Sequence, residues 1–117
     1  MPEKRDESFP RANRLCKSAE FRRVFARGKR IAAGYFVVYS MPNHLLTPRL
    51  GIQVRAKLGP AFKRNYIKRV VREAFRKMKT EFRQPVDLIF IAEKGILELN
   101  YTQVVNEFRK ALSWNLR

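Results

Sequence analysis

The residues best suited to binding chemistry are the cations of one segment, KRNYIKRVVREAFRK, at positions 63–77. The segment holds seven Lys or Arg side chains and a single acid, Glu73. Guanidinium and ammonium groups suit the binding of phosphate, and the planar guanidinium can hold two phosphate oxygens at once. The segment is therefore either a solvated basic helix or a surface that binds an acidic partner.

The spacing within this segment favours the second interpretation. At about 100° per residue its apolar side chains fall on one side of a helix, and cations with one amide fall on the other. A solvated helix face normally alternates Glu with Lys, and Glu73 is the only acid available. We therefore predict contact with a phosphate backbone. The predicted contact residues are Asn65, Lys68, Arg69, Arg72, Arg76 and Lys79.

The charge of the whole chain points to the same class of partner. The 117 residues include 26 Lys and Arg against 10 acids, for a formal net charge of +16. Between Phe21 and Arg72 there are 13 cations and no acid. Self-repulsion of this size disfavours the compact state unless a polyanion relieves it. No apolar run approaches the roughly 18 residues that span a bilayer, so nucleic acid is favoured over a membrane.

Catalysis by the protein's own side chains is not expected. His44 is the only histidine and Cys16 the only cysteine, so neither a catalytic triad nor a zinc site can be assembled from them. The acids are scattered, and no glycine-rich phosphate loop is present. One cysteine excludes an internal disulfide and, with no secretory signal at the start, leads us to expect a cytoplasmic protein.

Two aromatic pairs have two possible roles. Phe21 and Phe25 lie one helical turn apart among three arginines, and Tyr35 and Tyr39 share one face of an expected strand. The rings could be ordinary core residues, which is the commoner role for this pattern. They could also be partly exposed platforms for unstacked bases, with the arginines on the backbone.

The pattern along the chain predicts one α+β domain over residues 15–117 after a flexible arm over residues 1–14. A helix is expected from Ser18, as N-cap, to a stop at Gly28. Strands are expected at 32–41, where one bent strand or two are possible, at 49–56 and at 86–92, the last one central or buried on both faces. The basic helix lies between the latter two, and a closing helix runs from beyond Gly95 to about Leu116.

Several segments together resemble the protein subunit of bacterial ribonuclease P. RLGIQVRAKLGPAFKRNYIKRVVREAF, at 49–75, is similar to that family's R-L/V-G strand, K-x-G-x-A turn and R-N-x-h-K-R-h-h-R-[EQ]-x-F helix, where h is apolar. NRLCKSAEFRRVFARGKR and GYFVVY resemble the family's first helix and first strand. The resemblance runs from about Asn13 to Ala92, and the last helix agrees in pattern only.

The resemblance implies an α-β-β-β-α-β-α sandwich, similar to the second domain of ribosomal protein S-five, with a left-handed β-α-β crossover. It also implies a function. The partner would be a catalytic RNA that removes the 5′ leader of precursor tRNA with bound Mg²⁺. The protein would bind that RNA and the single-stranded leader, as a subunit of an endoribonuclease whose chemistry belongs to the RNA.

The family's functional positions can be carried over residue by residue. The positions expected to bind the RNA subunit are Arg64, Asn65, Lys68, Arg69, Arg72 and Arg76. Those expected to bind the leader are Phe21, Phe25 and Tyr39, with Arg55 and Lys57 at the edge of the cleft.

Three positions depart from the family's pattern. Ala56 and Glu93 stand where basic residues are usual, although Lys94 could compensate for the lost charge, and Tyr66 replaces a polar or basic residue.

Two other functions fit the sequence less closely. A ribosomal or other structural RNA-binding protein would need the basic helix but no leader cleft. A DNA-binding helix module is disfavoured, because the basic helix lies between strands and has no helix-turn-helix partner.

Overall fold

A computed structural model describes residues 11–117, and for Arg11 the backbone only. It shows three α-helices and four strands. Helices α1, α2 and α3 span Ser18–Arg27, Ala61–Met78 and Tyr101–Ala111. Strands β1, β2, β3 and β4 span Lys29–Ala32, Phe36–Pro42, Arg49–Gln53 and Val86–Ala92. The order α-β-β-β-α-β-α is the predicted one.

The four strands form a single sheet in the order β1-β2-β4-β3. β4 pairs antiparallel with β2 and parallel with β3, so α2 must cross over between the two parallel strands. The strand predicted at 86–92 has the same two ends in the structure. It is an inner strand with both faces covered, and such a strand has a continuous apolar sequence that is easy to locate.

The helices cover the two faces of this sheet unequally. On one face α2 and α3 enclose the larger core, in which the Phe90 ring stacks on Phe36 at 4.6 Å and meets Phe108 edge-on at 5.4 Å. On the other face α1 covers a smaller cluster built on Leu15, Val24 and Ile89. Because α1 is short, part of this second face is left open.

The segment before α1 belongs to the folded domain. Of the arm predicted over residues 1–14, residues 1–10 lie outside the described residues. Asn13 is buried and donates from Nδ2 to the Pro48 carbonyl at 2.8 Å, and the Leu15 amide donates to the Leu50 carbonyl at 3.0 Å. These contacts cover the outer edge of β3, so the fold begins before residue 15.

Three predicted boundaries were wrong by a few residues. The run expected from residue 32 is the second half of a hairpin, in which Ile31 of β1 pairs with Val38 of β2. Strand β3 ends at Gln53, and a short 3-10 turn, Ala56–Leu58, follows. The last helix stops at Ala111, since the chain then turns and buries Asn115 and Leu116.

The ends of α1 also differ from the prediction in detail. The N-cap is Lys17, and its amide donates to Glu20 Oε1 at 3.2 Å; Ser18 is already helical. Gly28 does end the helix, although with φ −78° it is not left-handed. A Cβ there would lie 2.5 Å from the Val24 carbonyl oxygen and 3.1 Å from that of Ser40, so glycine permits the close approach of helix end and strand.

Candidate nucleic-acid interface

Three of the predicted leader-binding rings meet in one place, which we call the aromatic cleft: Phe21 and Phe25 of α1, and Tyr39 of β2. Phe25 contacts Tyr39 edge-on at 5.0 Å between ring centroids and lies 6.5 Å from Phe21. Phe25 is 37% exposed, and the other two rings are half-buried. The rings are thus partly packed and partly open. Tyr35 lies apart from them, beside Gly95.

The position of Phe21 depends on a glycine that the sequence reasoning missed. A Cβ on Gly51 of β3 would lie 2.5 Å from Cζ of the Phe21 ring. The absent side chain therefore lets the ring lie directly on the sheet. Gly51 belongs to the R-L-G stretch of β3, so the signal was present but its use was not evident without the tertiary contact.

A charged network fixes α1 to the strands, and we call it the Arg49 clamp. Arg49 Nε and Nη2 each donate to a carboxylate oxygen of Asp87 on β4 at 2.8 Å, and Nη1 donates to Glu20 Oε2 of α1 at 2.8 Å. The Asp87 side chain is buried and the other two are largely covered. The clamp joins one helix to two strands beside the aromatic cleft.

The contacts of the clamp shift the pKa values of Arg49 and Glu20. Hydrogen bonding to Asp87 raises the pKa of Arg49 despite burial, so the guanidinium stays charged. Burial of Glu20 acts to raise its pKa, but hydrogen bonds from the Lys17 amide and from Arg49 outweigh burial, and the pKa is lowered. Both shifts favour the charged forms of Arg49 and Glu20 at neutral pH.

The predicted RNA-subunit residues lie along α2, but not all are equally available. Asn65, Arg69 and Arg72 are exposed and Lys68 is partly exposed. The Arg69 guanidinium lies over the Tyr66 ring, 5.7 Å from its centroid. These exposed groups form what we call the basic face of α2.

Cations at the start and the end of the helix have partners within the protein. Arg64 Nε donates to the Gly59 carbonyl at 2.9 Å, which ties the start of α2 to the preceding turn. Arg76 Nη2 pairs with Glu73 Oε2 at 2.6 Å, and this contact raises the pKa of Arg76. Lys79 Nζ donates to Asn13 Oδ1 at 3.3 Å. Arg76 and Lys79 therefore have intramolecular partners. The Arg76–Glu73 pair has the i,i+3 spacing of helical neighbours, whereas the contact of Lys79 with Asn13 is long-range and the helical pattern did not indicate it.

The aromatic cleft and the basic face meet at the outer edge of β3. An open pocket of about 190 Å³ there, the junction pocket, is lined by Phe21, Lys68 and Arg72 together with Arg14. Arg72 is exposed but partly desolvated by its surroundings, and this desolvation, followed by the nearby Arg14 cation, lowers its pKa. Arg14 is thus a candidate RNA-binding residue that the sequence reasoning did not single out.

The two remaining predicted residues lie elsewhere. Arg55 and Lys57 line a separate pocket of about 480 Å³, formed where the chain leaves β3 and β4. Glu93 and Lys94 line the same pocket, so the acid that departs from the family pattern is placed directly among the basic residues it was expected to affect.

The described residues offer little to a metal ion. None of their His, Cys, Asp and Glu side chains form a group of three that could hold one, and Glu20, Asp87 and Glu73 are each paired with an arginine. Over the part of the chain that it describes, the structure therefore shows no such group of ligands for a magnesium ion. Within residues 11–117 no helix has the length and apolarity needed to cross a bilayer.

A one-domain α+β fold with an aromatic cleft joined to a basic helix defines a class of RNA-binding proteins. Comparison with known proteins narrows this class. The sequence model of the ribonuclease P family matches residues 9–114.

Relatives named ribonuclease P protein component include one from Caldanaerobacter subterraneus subsp. tengcongensis, 36% identical over 85% of each chain. The relative from Thermotoga maritima is 38% identical over 95% of this chain and 88% of its own.

Solved structures of RNase P proteins have the same fold as this chain. A Staphylococcus aureus RNase P protein mutant with defective mRNA degradation activity superposes with a TM-score of 0.85 at 33% identity, covering 97% of both chains. The Thermotoga maritima RNase P protein superposes with a TM-score of 0.78 over 86% of this chain and 96% of its own. The chain belongs to the ribonuclease P protein component family, the protein subunit of an endoribonuclease of tRNA 5′ processing, and its partner is that enzyme's RNA subunit.

Proposed function

We propose that this protein holds the single-stranded 5′ leader of precursor tRNA in the aromatic cleft while the basic face of α2 contacts the RNA subunit. The observation that carries the proposal is the junction pocket, which Phe21 of the cleft and Lys68 and Arg72 of α2 line together. A strand of RNA leaving the cleft would thus meet the basic face without crossing a neutral gap.

The aromatic cleft has the composition that single-stranded RNA requires. Partly exposed rings can stack on unpaired bases, and cations beside them can bind the backbone. Arg22 and Arg23 are exposed on α1, and Arg30 of β1 lies opposite Tyr39 in the sheet register. A leader lying on this face would have rings beneath its bases and cations along its phosphates.

The acids nearest the cleft support a proposal in which the RNA subunit supplies the chemistry and the protein positions the substrate. Glu20 and Asp87, the acids of the clamp beside the cleft, are held by Arg49. Neither is available as a general base or as a ligand for Mg²⁺, which supports the proposal that the magnesium of the reaction is held mainly by the RNA. The protein's contribution would be to position the substrate and to neutralise phosphate charge.

The deciding experiment is reconstitution with the cognate catalytic RNA. At a low magnesium concentration, where the RNA alone cleaves slowly, the added protein should restore removal of the 5′ leader from precursor tRNA. The RNA alone and the RNA with an unrelated basic protein serve as controls. Binding without stimulated cleavage would favour the alternative function, a scaffold for folded RNA.

A further inference from the structure

Two exposed aromatic side chains on α2 have no role in the proposed function. Phe62 is 71% exposed and Tyr66 is 42% exposed, in a protein whose other phenylalanines, apart from Phe25, are buried or half-buried wherever the structure describes them. The two residues are four apart, so they lie one helical turn from each other on the same face. An apolar ring exposed on a basic helix gains nothing from water, which suggests that a partner covers this face.

The surroundings of the two rings identify the chemistry of that partner. The Arg69 guanidinium lies over the Tyr66 ring, while Lys63 and Asn65 are exposed nearby on the helix. Exposed rings flanked by cations are the arrangement that proteins use to stack unpaired bases of RNA. A second copy of this chain is a poor alternative, because its net charge of +16 would be brought against the same cations.

The location of the rings selects the source of the base. α2 packs on the face of the sheet that carries the larger core, whereas the aromatic cleft lies on the opposite face under α1. A leader held in the cleft would reach α2 at the junction pocket, beside Lys68 and Arg72, whereas Phe62 and Tyr66 lie nearer the start of the helix. The rings instead share the exposed side of α2 with Asn65 and Arg69, two residues expected to contact the RNA subunit.

We infer that Phe62 and Tyr66 form a stacking site for an unpaired base of the catalytic RNA subunit, next to the phosphate contacts of Asn65 and Arg69. The inference rests on the proposed function, in which the basic face of α2 contacts that RNA. Stacking is independent of salt to first order, whereas phosphate contacts weaken as salt rises. The two kinds of contact on one helix can therefore be separated by measurement.

The test is the affinity of the protein for its catalytic RNA, measured at several salt concentrations. Phe62→Ala and Tyr66→Ala should each weaken binding roughly tenfold to a hundredfold, the range of one lost base stack. The slope of log affinity against log salt should stay unchanged. Tyr66→Phe, which keeps the ring, should bind like the unsubstituted protein. Leu46→Ala is the matched control, because Leu46 is 97% exposed in the loop between β2 and β3.

Other results would overturn the inference in recognisable ways. Unchanged affinity of both alanine variants, while the unsubstituted protein still stimulates cleavage, would remove the stacking site and leave the proposed function intact. A loss for complexes with precursor tRNA but not for the RNA subunit alone would assign the rings to the leader. Self-association that sedimentation detects and Phe62→Ala abolishes would show that a second copy covers the rings. Thermal unfolding of each variant checks that it is folded.

Discussion

At the scale of single residues, partial exposure is what separates a binding ring from a core ring. Phe36, Phe90 and Phe108 are fully buried and hold the larger core together. Phe25 and Tyr39 pack against each other and still present surface to solvent. If a ring of the second kind holds RNA, its removal should cost more in binding than in folding, which makes its proposed role testable.

Phe25→Ala should therefore weaken the binding of precursor tRNA to the reconstituted enzyme by about tenfold or more, since one base stack is lost. Mature tRNA lacks the leader, so its affinity should not change. The measurement is the ratio of the two dissociation constants. An equal loss for both substrates would show that the ring supports the fold and does not hold the leader. Phe21→Ala should act in the same direction but also destabilise the protein, because that ring packs on Gly51.

The cations of α2 make a separate prediction. Arg69→Ala and Arg72→Ala should each reduce the salt slope of RNA affinity by about 0.7 to 0.9, the value for one released phosphate contact. Lys110→Ala is the control: its side chain is 77% exposed, but it lies on α3, away from the basic face. Slopes that do not differ from that of the control would mean that neither arginine binds a phosphate.

At the scale of secondary-structure elements, the important question is what holds α1 against the sheet. The helix is only ten residues long, and a short helix in isolation is marginal. The Arg49 clamp, the close approach at Gly28 and the ring of Phe21 on Gly51 each attach it to a strand. The width of the aromatic cleft therefore depends on tertiary contacts and not on helix propensity.

The clamp should make stability depend on pH. The pKa of Glu20 is lower in the folded protein than its ordinary value of 4.5, so ionisation favours folding. This contribution is present above that ordinary value and is lost as pH falls through the lowered pKa. Glu20→Gln should therefore reduce the decline in unfolding free energy between about pH 5 and pH 3.

Glu73→Gln provides a matched comparison on another helix. Hydrogen bonding to Arg76 lowers the pKa of Glu73, so its loss should also reduce the pH dependence. Only Glu20→Gln should weaken precursor binding as well, because only Glu20 attaches α1 beside the cleft. Denaturant unfolding across pH and leader affinity at pH 7 measure the two effects. Identical binding by both variants would show that the clamp does not set the cleft.

At the scale of the whole molecule, the net charge of +16 lowers the stability of the isolated fold and favours an anionic partner. Like charges on one small domain repel, and either salt or a polyanion relieves the repulsion. The midpoint of thermal unfolding of the isolated protein should therefore rise with added salt, and it should rise further with the catalytic RNA at low salt. A midpoint that falls as salt is added would indicate that internal ion pairs, the Arg49 clamp above all, outweigh the repulsion.

Much of the fold could be predicted because several elements carry strong local patterns. β4 is a short apolar run, and α2 has an apolar side and a cationic side, so the amino acids alone indicate both. β1 could not be placed, because Lys29 and Arg30 of this edge strand form no apolar pattern, and the strand is held by its pairing with β2. The end of α3 was missed for a related reason: the helical spacing of apolar residues continues to Leu112, but the chain turns to bury Asn115 and Leu116.

The candidate site, like the fold, could be predicted only where local patterns carry the information. The sequence by itself determined the charge, the class of partner and the α2 cations, because these depend on residue types and on helical spacing. Only the tertiary structure decided which groups meet. It placed Lys79 beside Asn13, gathered Arg55 and Lys57 in a pocket with Glu93 and Lys94, and brought Arg14 beside Arg72. Such contacts join residues far apart in the chain, and local patterns carry no information about distances of that kind.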